Sequence, residues 1–225
     1  MHNENVLDNP VWFSITDKHT QQGIDYGYTK MYHPDFTPFG AFIKGADTAA
    51  AIMEHAKLTP SFFMVGEKPK MPSSFKPPIQ YVGLQMILYK KIDHLITESI
   101  VELKPSHHEE IMDLVAIAYP DFFKPKTDTL GRYFGIFKDE KLVAITGERM
   151  QTEQFTEISG VITHPNYVGN GYAKQLVTHT SNKIFEKNKT PFLHVDQTNL
   201  GPINLYKKLG FVTRRKLEFW QINRY

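Results

Sequence analysis

The chain has 225 residues, of which 41% are hydrophobic, 22% charged and 13% aromatic, and these proportions exclude a disordered or fibrous protein. The formal net charge is only +2, with 26 Lys and Arg against 24 Asp and Glu, so the charge gives no support for nucleic-acid binding. Cysteine is absent, which excludes disulfides, thiolate metal sites and a cysteine nucleophile.

The first part of the chain predicts a small α+β region. Residues 48–57 are rich in helix-forming side chains and predict a helix, whereas residues 32–39 have an irregular pattern. Apolar and aromatic runs at 61–66 and 80–89 have the length of strands. The proline-rich stretch between them, 67–78, predicts a loop, because proline interrupts helices and central strands.

The second part is more regular and predicts the order β-α-β-β-β-α-β-α-β, which is a mixed α/β sheet. The predicted elements are a strand at 100–103, a helix at 109–119, a hairpin of strands at 133–137 and 142–146, a strand at 156–163, a helix at 172–188, a strand at 192–195, a short helix opened by Pro202 and stopped at Gly210, and a closing strand at 212–220. We therefore divide the chain into an N-terminal region, 1–98, and a second domain, 99–225.

Small residues fall where the predicted strand at 156–163 leads into the next helix. Gly169 and Gly171 allow backbone conformations that are closed to other residues, and the free N–H groups at a helix start attract an anion. A pyrophosphate is the natural ligand. A dinucleotide site of the G-x-G-x-x-G type fits poorly, because Lys174 stands where that motif needs a small residue, and no Gly-Lys-Ser/Thr follows for a Walker loop.

The loop Val168-Gly-Asn-Gly-Tyr-Ala173 resembles the R/Q-x-x-G-x-G/A phosphate loop of the GNAT superfamily of CoA-dependent N-acetyltransferases. It matches at Gly171 and Ala173 and departs at Val168, where the family usually has Arg or Gln. The resemblance implies that the backbone N–H groups of the loop bind the pyrophosphate of CoA, without the support of that missing side chain.

A second segment strengthens the resemblance. Asn199-Leu-Gly-Pro-Ile-Asn-Leu-Tyr-Lys-Lys-Leu-Gly-Phe211 is similar to the N-x-x-A-x-x-x-Y-x-x-x-G-F signature of the same superfamily, with Pro202 in place of Ala. Proline suits the first turn of a helix. Residues 157–165 also resemble the branch that includes glycine N-acyltransferases.

The resemblance implies a mixed, mostly antiparallel GNAT-type sheet with flanking helices, preceded by the smaller α+β N-terminal region. It also implies acetyl-CoA as the acyl donor and CoA as a product. Backbone N–H groups of Val161 and Thr163 are expected to bind the pantetheine arm and to polarise the acyl carbonyl. The implied cofactor-binding residues are Val161, Ile162, Thr163, Val168, Gly169, Asn170, Gly171, Tyr172, Ala173, Asn199 and Tyr206.

In this superfamily an amine attacks the thioester directly, so the enzyme must remove a proton from the amine and protonate the leaving thiolate. Tyr206 matches the family's acid, although a core tyrosine would fit the same position. Glu157 is our candidate to accept the amine proton through water, with Glu148 as a second candidate. An exposed strand carboxylate would explain either one equally well.

Asn199 resembles the family's cofactor-contacting asparagine, and a plain helix cap is the alternative. His164 and His194 are isolated histidines, which are more often structural than catalytic. No spacing of ligands predicts a metal site.

Residues 1–98 contain no catalytic motif. They resemble half of a second, degenerate acyltransferase unit, and we expect them to shape the acceptor pocket. An aromatic-rich stretch could line that pocket or belong to the core: Trp12, Phe13, Tyr26, Tyr28, Tyr32, Phe36 and Phe39.

We therefore predict an N-acetyltransferase acting on a small-molecule amine or an amino-acid-like acceptor, and a homodimer fits this reading. A non-catalytic acyl-CoA sensor or scaffold is the alternative, and a dinucleotide-dependent oxidoreductase is a third reading. No run approaches the about 20 apolar residues of a membrane span, and the polar start at 1–4 does not resemble a signal peptide. We expect a cytoplasmic protein without a membrane or nucleic-acid partner.

Overall fold

The computed structural model describes residues 3–118 and 122–224, and these residues build an 11-stranded sheet in the order β1-β2-β3-β4-β11-β5-β10-β9-β8-β7-β6. Neighbouring strands are antiparallel except for the pairs β3 with β4 and β9 with β10, which are parallel. The strands are β1 (Gly23–Asp25), β2 (Thr29–Tyr32), β3 (Phe39–Phe42), β4 (Ser61–Val65), β5 (Ile79–Ile87), β6 (Ile100–Leu103), β7 (Tyr133–Lys138), β8 (Lys141–Gln151), β9 (Phe155–Thr163), β10 (Thr190–Asp196) and β11 (Val212–Asn223).

Helices cover both faces of this sheet, as the alternation of side chains along its strands requires. The helices are α1 (Pro10–Asp17), α2 (Ala49–His55), α3 (His108–Ala118), α4 (Tyr172–Phe185) and α5 (Leu200–Lys208). On β10, Phe192 packs in a core cluster with α1, whereas the next residue, Leu193, packs with α4. On β7, Tyr133 packs with α3 and Phe134 with α4. Helices α1 and α3 therefore lie on the face opposite α4.

The second half of the chain follows the predicted order of elements, and the predicted fold class is confirmed. Helix α5 begins at Leu200, before Pro202, with Asn199 at the N-cap position. Helix α4 ends at Phe185, short of the predicted 188. The predicted helix at 109–119 corresponds to α3, and its last residue, Tyr119, lies outside the described residues.

The first half contains more regular structure than the sequence indicated. Helix α1 and strands β1 to β3 had no sequence prediction, and the stretch at 32–39 includes the last residue of β2 and the first of β3. The predicted helix and strands at 48–57, 61–66 and 80–89 are present as α2, β4 and β5. Across residues 3–118 and 122–224, none of the helices is both long and apolar enough to cross a membrane.

Strands from the two parts of the chain alternate at the centre of the sheet. Strand β11, the last in sequence, pairs with β4 and with β5, for example at Phe219 with Val65 and at Leu217 with Gly83. Strand β5 pairs on its other side with β10, where Gln85 lies opposite His194. Strand β11 of the second part therefore lies between β4 and β5 of the first part, and β5 lies between β11 and β10 of the second part.

The two halves of the sheet repeat one arrangement about the antiparallel pair β5 and β11. On one side, β3, α2 and β4 follow one another and the two strands pair in parallel. On the other side, β9, α4 and β10 do the same. Both parallel contacts are short, so each pair of strands soon separates.

Buried histidines His19 and His55 lie on the first half of the chain. His19 contacts the hydroxyl groups of Ser14 and Tyr32 through Nδ1 and the carbonyl of Leu130 through Nε2. Burial lowers the pKa of His19 to about 4, since the hydrogen bond to Leu130 offsets it only in part. Burial also lowers the pKa of His55 to about 4, where the ring packs edge-on against Phe62.

These histidines make stability depend on pH. Their pKa values in the folded protein lie below the usual 6.5, so the unfolded chain binds more protons between pH 6.5 and 4, and stability falls as pH falls through this range. From pH 7.5 to pH 5, each histidine should remove about 2 kcal/mol from the free energy of unfolding. Urea denaturation of wild type, His19→Gln and His55→Gln at both pH values would measure this. Each variant should lose less stability on acidification than wild type, and equal losses would contradict the prediction.

Candidate active site

A glycine cradle lies at the start of α4. Gly169 has a φ of +92° and Gly171, the N-cap residue of α4, has a φ of +75°, so both adopt the left-handed backbone that favours glycine. Open space of at least 4 Å surrounds the position that a Cβ atom would occupy at each of them. The first N–H groups of α4 have no partner within the helix, and its dipole directs positive charge at this space. The cradle therefore fits a phosphate group.

A cavity of about 460 Å³ opens on this cradle. It brings together most of the loop residues predicted to hold the cofactor, and it adds residues that the sequence analysis did not assign to the site, among them Lys208. Its lining comprises Thr163, Tyr167, Val168, Gly169, Gly171, Tyr172, Ala173, Lys174, Gly201, Leu205 and Lys208. Lys174 and Lys208 give the cavity positive charge, although Val168 occupies the motif position that usually holds Arg or Gln.

The other predicted cofactor residues lie outside this lining. The side-chain amide of Asn170 donates to the carbonyl of Tyr167, which closes the loop. Asn199 is exposed at the N-cap of α5, and its side chain accepts no hydrogen bond from the described first turn of that helix. A helix-capping bond therefore does not account for Asn199.

Strands β9 and β10 separate beside the cradle. They pair from Phe155 with Thr190 to Glu157 with Phe192, after which β9 continues along β8 and β10 continues along β5. The register between β8 and β9 shifts near Gly160, whose φ of +59° marks a bulge in β9. The predicted pantetheine-binding residues, 161–163, lie on β9 past the point of separation.

Tyr206 lies on α5 next to this gap. It is buried, and its ring centroid lies 5.9 Å from that of Phe211. Its core cluster also contains Ile158 of β9 and Val195 of β10, which follow the last β9–β10 pair on either strand. Leu205 and Lys208 of the same helix line the loop cavity. Helix α5 therefore joins the loop cavity to the gap between the strands.

Glu157 is fully buried at the last pair of β9 and β10. Its carboxylate accepts hydrogen bonds from Nε and Nη2 of Arg149, both at 2.8 Å, from the backbone N–H of Met150 at 3.3 Å, and from Nδ1 of His194 at 2.7 Å. Burial raises the pKa of this carboxyl, but the charge and hydrogen bonds of Arg149 and the bond from His194 outweigh burial and hold the pKa below its usual range. Glu157 is therefore an ionised carboxylate.

The partners of His194 assign its tautomer. Nδ1 faces the Glu157 carboxylate, so it carries the proton, and Nε2 faces the side-chain amide of Gln85 at 3.1 Å. The same amide donates to the carbonyl of Leu7, and the oxygen of Gln85 accepts from Arg214. A continuous chain of hydrogen bonds thus runs from Glu157 to Arg214.

The remaining candidates have structural partners. Glu148 is buried and accepts hydrogen bonds from the guanidinium of Arg132. His164 accepts from the backbone N–H of Asn166 and starts the short turn at Pro165–Tyr167, as a structural histidine would.

A second cavity, of about 170 Å³, lies next to residues 194–196 of β10. Five of its eleven described lining residues are Phe or Tyr from both halves of the chain, and Arg149 and His194 also line it. Its lining comprises Phe39, Phe63, Tyr81, Val82, Gly83, Phe122, Arg149, His194, Val195, Asp196 and Phe219. From the aromatic-rich stretch of the sequence only Phe39 belongs to this described lining. Tyr32 is instead a core residue, bonded to Ser14 and His19.

The largest described cavity, about 710 Å³, lies elsewhere, between the N-terminal turn and β11. Four of the charged side chains in its lining form two ion pairs, Arg215 with Asp8 and Lys44 with Glu67. Phe13 of the aromatic-rich stretch also lines it. The phosphate cradle and the strand gap lie at the smaller cavities, and we place the candidate active site there.

The Glu157–Arg149 pair yields a prediction about stability. Arg149→Met leaves a buried carboxylate without its cation and should lower the free energy of unfolding by about 3–5 kcal/mol, whereas Arg149→Met with Glu157→Met should cost less, since no unpaired charge remains. Lys57→Met, which breaks the exposed pair with Glu54, is the control and should change stability far less. Urea denaturation at pH 7.5 measures all four proteins. Equal losses for Arg149→Met and Lys57→Met would contradict the stabilising role of the buried pair.

Comparison with known proteins supports the fold described above. The family model described as FR47-like protein matches residues 133–220. No curated protein matches the chain. A crystal structure from Novosphingobium aromaticivorans, assigned to the GNAT acetyltransferase family, has 27% identity and a TM-score of 0.88, and the match covers 97% of this chain and 98% of that one.

More distant structures show the same fold. A GCN5-related N-acetyltransferase-like protein from Streptococcus suis has 13% identity and a TM-score of 0.63, covering 94% of this chain and 93% of that one. A GCN5-related N-acetyltransferase from Kribbella flavida has 13% identity and a TM-score of 0.61, covering 97% and 94%. Nearly the whole chain therefore has the mixed, mostly antiparallel fold of the GNAT acetyltransferases.

Proposed function

We propose that the protein is an acetyl-CoA-dependent N-acetyltransferase that transfers an acetyl group to a small-molecule amine. The observation that carries this proposal is the juxtaposition of the glycine cradle at α4 with the gap between β9 and β10. An anion site beside an opening in a sheet suits a long ligand with a phosphate end and a reactive end. Acetyl-CoA has this form, and when bound it supplies the activated acyl thioester. In this proposal residues 99–225 carry the transferase site and residues 1–98 complete the acceptor side.

The residues of the loop cavity would hold the phosphates. Gly169 and Gly171 let the backbone approach the pyrophosphate, and the N-terminal N–H groups of α4 donate to it. Lys174 and Lys208 supply the charge that Val168 lacks. Backbone N–H groups of Val161 and Thr163 would bind the pantetheine arm past the point where β9 leaves β10.

Tyr206 is the proposed acid. Its place on α5, packed against both strands of the gap, suits donation of a proton to the leaving thiolate. Glu157 is proposed to assist removal of the amine proton through His194. Nε2 of His194 would accept the proton in place of its contact with Gln85, while Nδ1 keeps its 2.7 Å hydrogen bond to the ionised carboxylate. A carboxylate at this position stabilises the positive charge that the imidazole would gain.

A non-catalytic acyl-CoA sensor is the alternative. It is favoured by Val168, at the motif position that usually holds Arg or Gln, and by the close pairing of Glu157 with Arg149. A sensor would bind acetyl-CoA without releasing CoA in the presence of any amine. The likeness to glycine N-acyltransferases, the cytoplasmic location and the homodimer stay predictions.

Tyr206→Phe tests the transferase and its acid together. The variant should lower kcat by about 10²-fold or more and leave the Kd of acetyl-CoA nearly unchanged, because only the hydroxyl is lost. Calorimetric titration with acetyl-CoA and a thiol-release assay over small amines measure the two quantities. Tyr133→Phe is the control: this tyrosine is also buried, and its hydroxyl has no hydrogen-bond partner among the described residues. An unchanged kcat in Tyr206→Phe would remove it from the acid role.

Lys208→Ala tests the phosphate site. Removal of a charge from the loop cavity should raise the Kd of acetyl-CoA about five- to tenfold, which corresponds to about 1–1.4 kcal/mol, and the effect should shrink at high salt. Lys207→Ala is the control, since this lysine is exposed on the same helix but is not part of the cavity lining. Equal Kd values for the two variants would show that Lys208 does not bind the phosphates.

A further inference from the structure

The aromatic cavity lies where an acceptor would meet the acyl group. Its floor is β10 from His194 to Asp196, which begins just past the last pair of β9 and β10 at Phe192. Strand β5 contributes Gly83, opposite Asp196. A Cβ atom at Gly83 would come within 2.8 Å of the Phe219 ring, so glycine makes room for this ring in the cavity wall.

The aromatic rings of the lining form one connected cluster. The centroid of Phe39 lies 5.9 Å from that of Phe63 and 5.8 Å from that of Phe219, and Phe63 lies 5.4 Å from Phe122 and 6.0 Å from Tyr81. Rings at these separations and angles present both faces and edges to a guest ring. Their faces also attract an ammonium group.

The volume of the cavity suits a small ligand. Its volume is about 170 Å³, and a dry cavity of roughly 150 Å³ is known to hold benzene. A single aromatic ring therefore fits this volume.

The charges of the lining discriminate against a carboxylate. Arg149 is the sole lysine or arginine of the described lining, and its guanidinium is paired in a bidentate manner with Glu157 and stacked 4.7 Å from the Phe39 ring. Asp196 adds an exposed negative charge at the edge. An amino acid would bring its carboxylate next to Asp196, and the one arginine of the described lining is already paired with Glu157. Burying the carboxylate of the amino acid without a cation of its own is costly.

We propose that this cavity is the acceptor site and that it takes a primary amine carried on a single aromatic ring and lacking a carboxylate. The proposal rests on the proposed N-acetyltransferase function. In the reaction the amine nitrogen forms a C–N bond with the acyl carbon and the C–S bond of the thioester breaks. The nitrogen loses a proton and the thiolate gains one, so an aromatic N-acetyl amide and CoA are formed.

A series of related acceptors tests the substrate class. 2-Phenylethylamine and phenylalanine differ by one carboxylate, and n-butylamine lacks the ring. With acetyl-CoA at saturation, kcat/KM from thiol release should be at least about tenfold higher for 2-phenylethylamine than for either of the others. Equal or better use of phenylalanine or n-butylamine would overturn the inference while leaving the N-acetyltransferase function in place.

Substitutions of residues that line the cavity test whether the cavity determines this substrate preference. Tyr81→Ala removes a ring that is 43% exposed and should raise the KM for 2-phenylethylamine about fivefold or more, whereas Tyr28→Ala, at 73% exposed and outside the cavity, should not. Phe63→Leu should also raise this KM, because Phe63 lines the cavity. Phe62→Leu is its control and should not, because Phe62 packs on the α2 side. An unchanged KM in both cavity variants would overturn the site.

Binding without turnover separates this inference from the function on which it rests. Calorimetric titration of 2-phenylethylamine into protein saturated with CoA should show binding that Tyr81→Ala weakens and Tyr28→Ala does not. Acetyl-CoA binding without thiol release from any amine would instead refute the transferase, and the acceptor assignment with it. Thiol release with other amines, but no binding of 2-phenylethylamine, would refute the acceptor assignment alone.

Discussion

The buried carboxylate of Glu157 is the interaction on which the site depends. It lies at the last pair of β9 and β10 and receives hydrogen bonds from Arg149 on β8 and His194 on β10. One carboxylate thereby ties three neighbouring strands together at the level where two of them begin to separate. The register shift between Glu148 and Gln151 places Arg149 and Met150 opposite Glu157, so that both a guanidinium and a backbone N–H reach the same oxygen. The gap is thus fixed at its base by a charged cluster.

This cluster extends across the sheet to the start of the chain. His194 contacts Gln85 on β5, Gln85 accepts from Arg214 on β11, and Arg214 pairs with Glu4 and Asp8 near the N-terminus. Polar groups inside a protein are costly unless each has a partner, and here the partners come from both halves of the chain. The first half therefore does more than cover the sheet, since its residues complete the hydrogen bonds that orient His194.

The sequence predicted the second half of the fold well because its elements have strong local signals. The hairpin, the amphipathic α4 and the glycine loop each appear within a short window of residues. Helix α1 and strands β1 to β3 lack such signals, because strands of three or four residues and a helix of eight are too short to show a clear periodicity. The insertion of β11 between β4 and β5 joins residues that are far apart in the sequence, and no local pattern could indicate it.

The residues of the candidate site also differ in how well the sequence predicts them. Gly169 and Gly171 could be found from sequence because a glycine cradle is a local feature, whereas the environment of Glu157 depends on Arg149 and on the distant His194. A strand pattern alone allowed Glu157 to be an exposed carboxylate or a base reached through water, and the structure shows a buried ion-pair partner.

This placement constrains the chemistry. A carboxylate that already accepts four hydrogen bonds from Arg149, Met150 and His194 cannot also approach an amine, so its influence on the reaction must pass through a neighbour. His194 is that neighbour, since it contacts Glu157 and lines the aromatic cavity. The pair that stabilises the sheet would then also set the position of the group that faces the acceptor, and stability and catalysis would share one cluster of side chains.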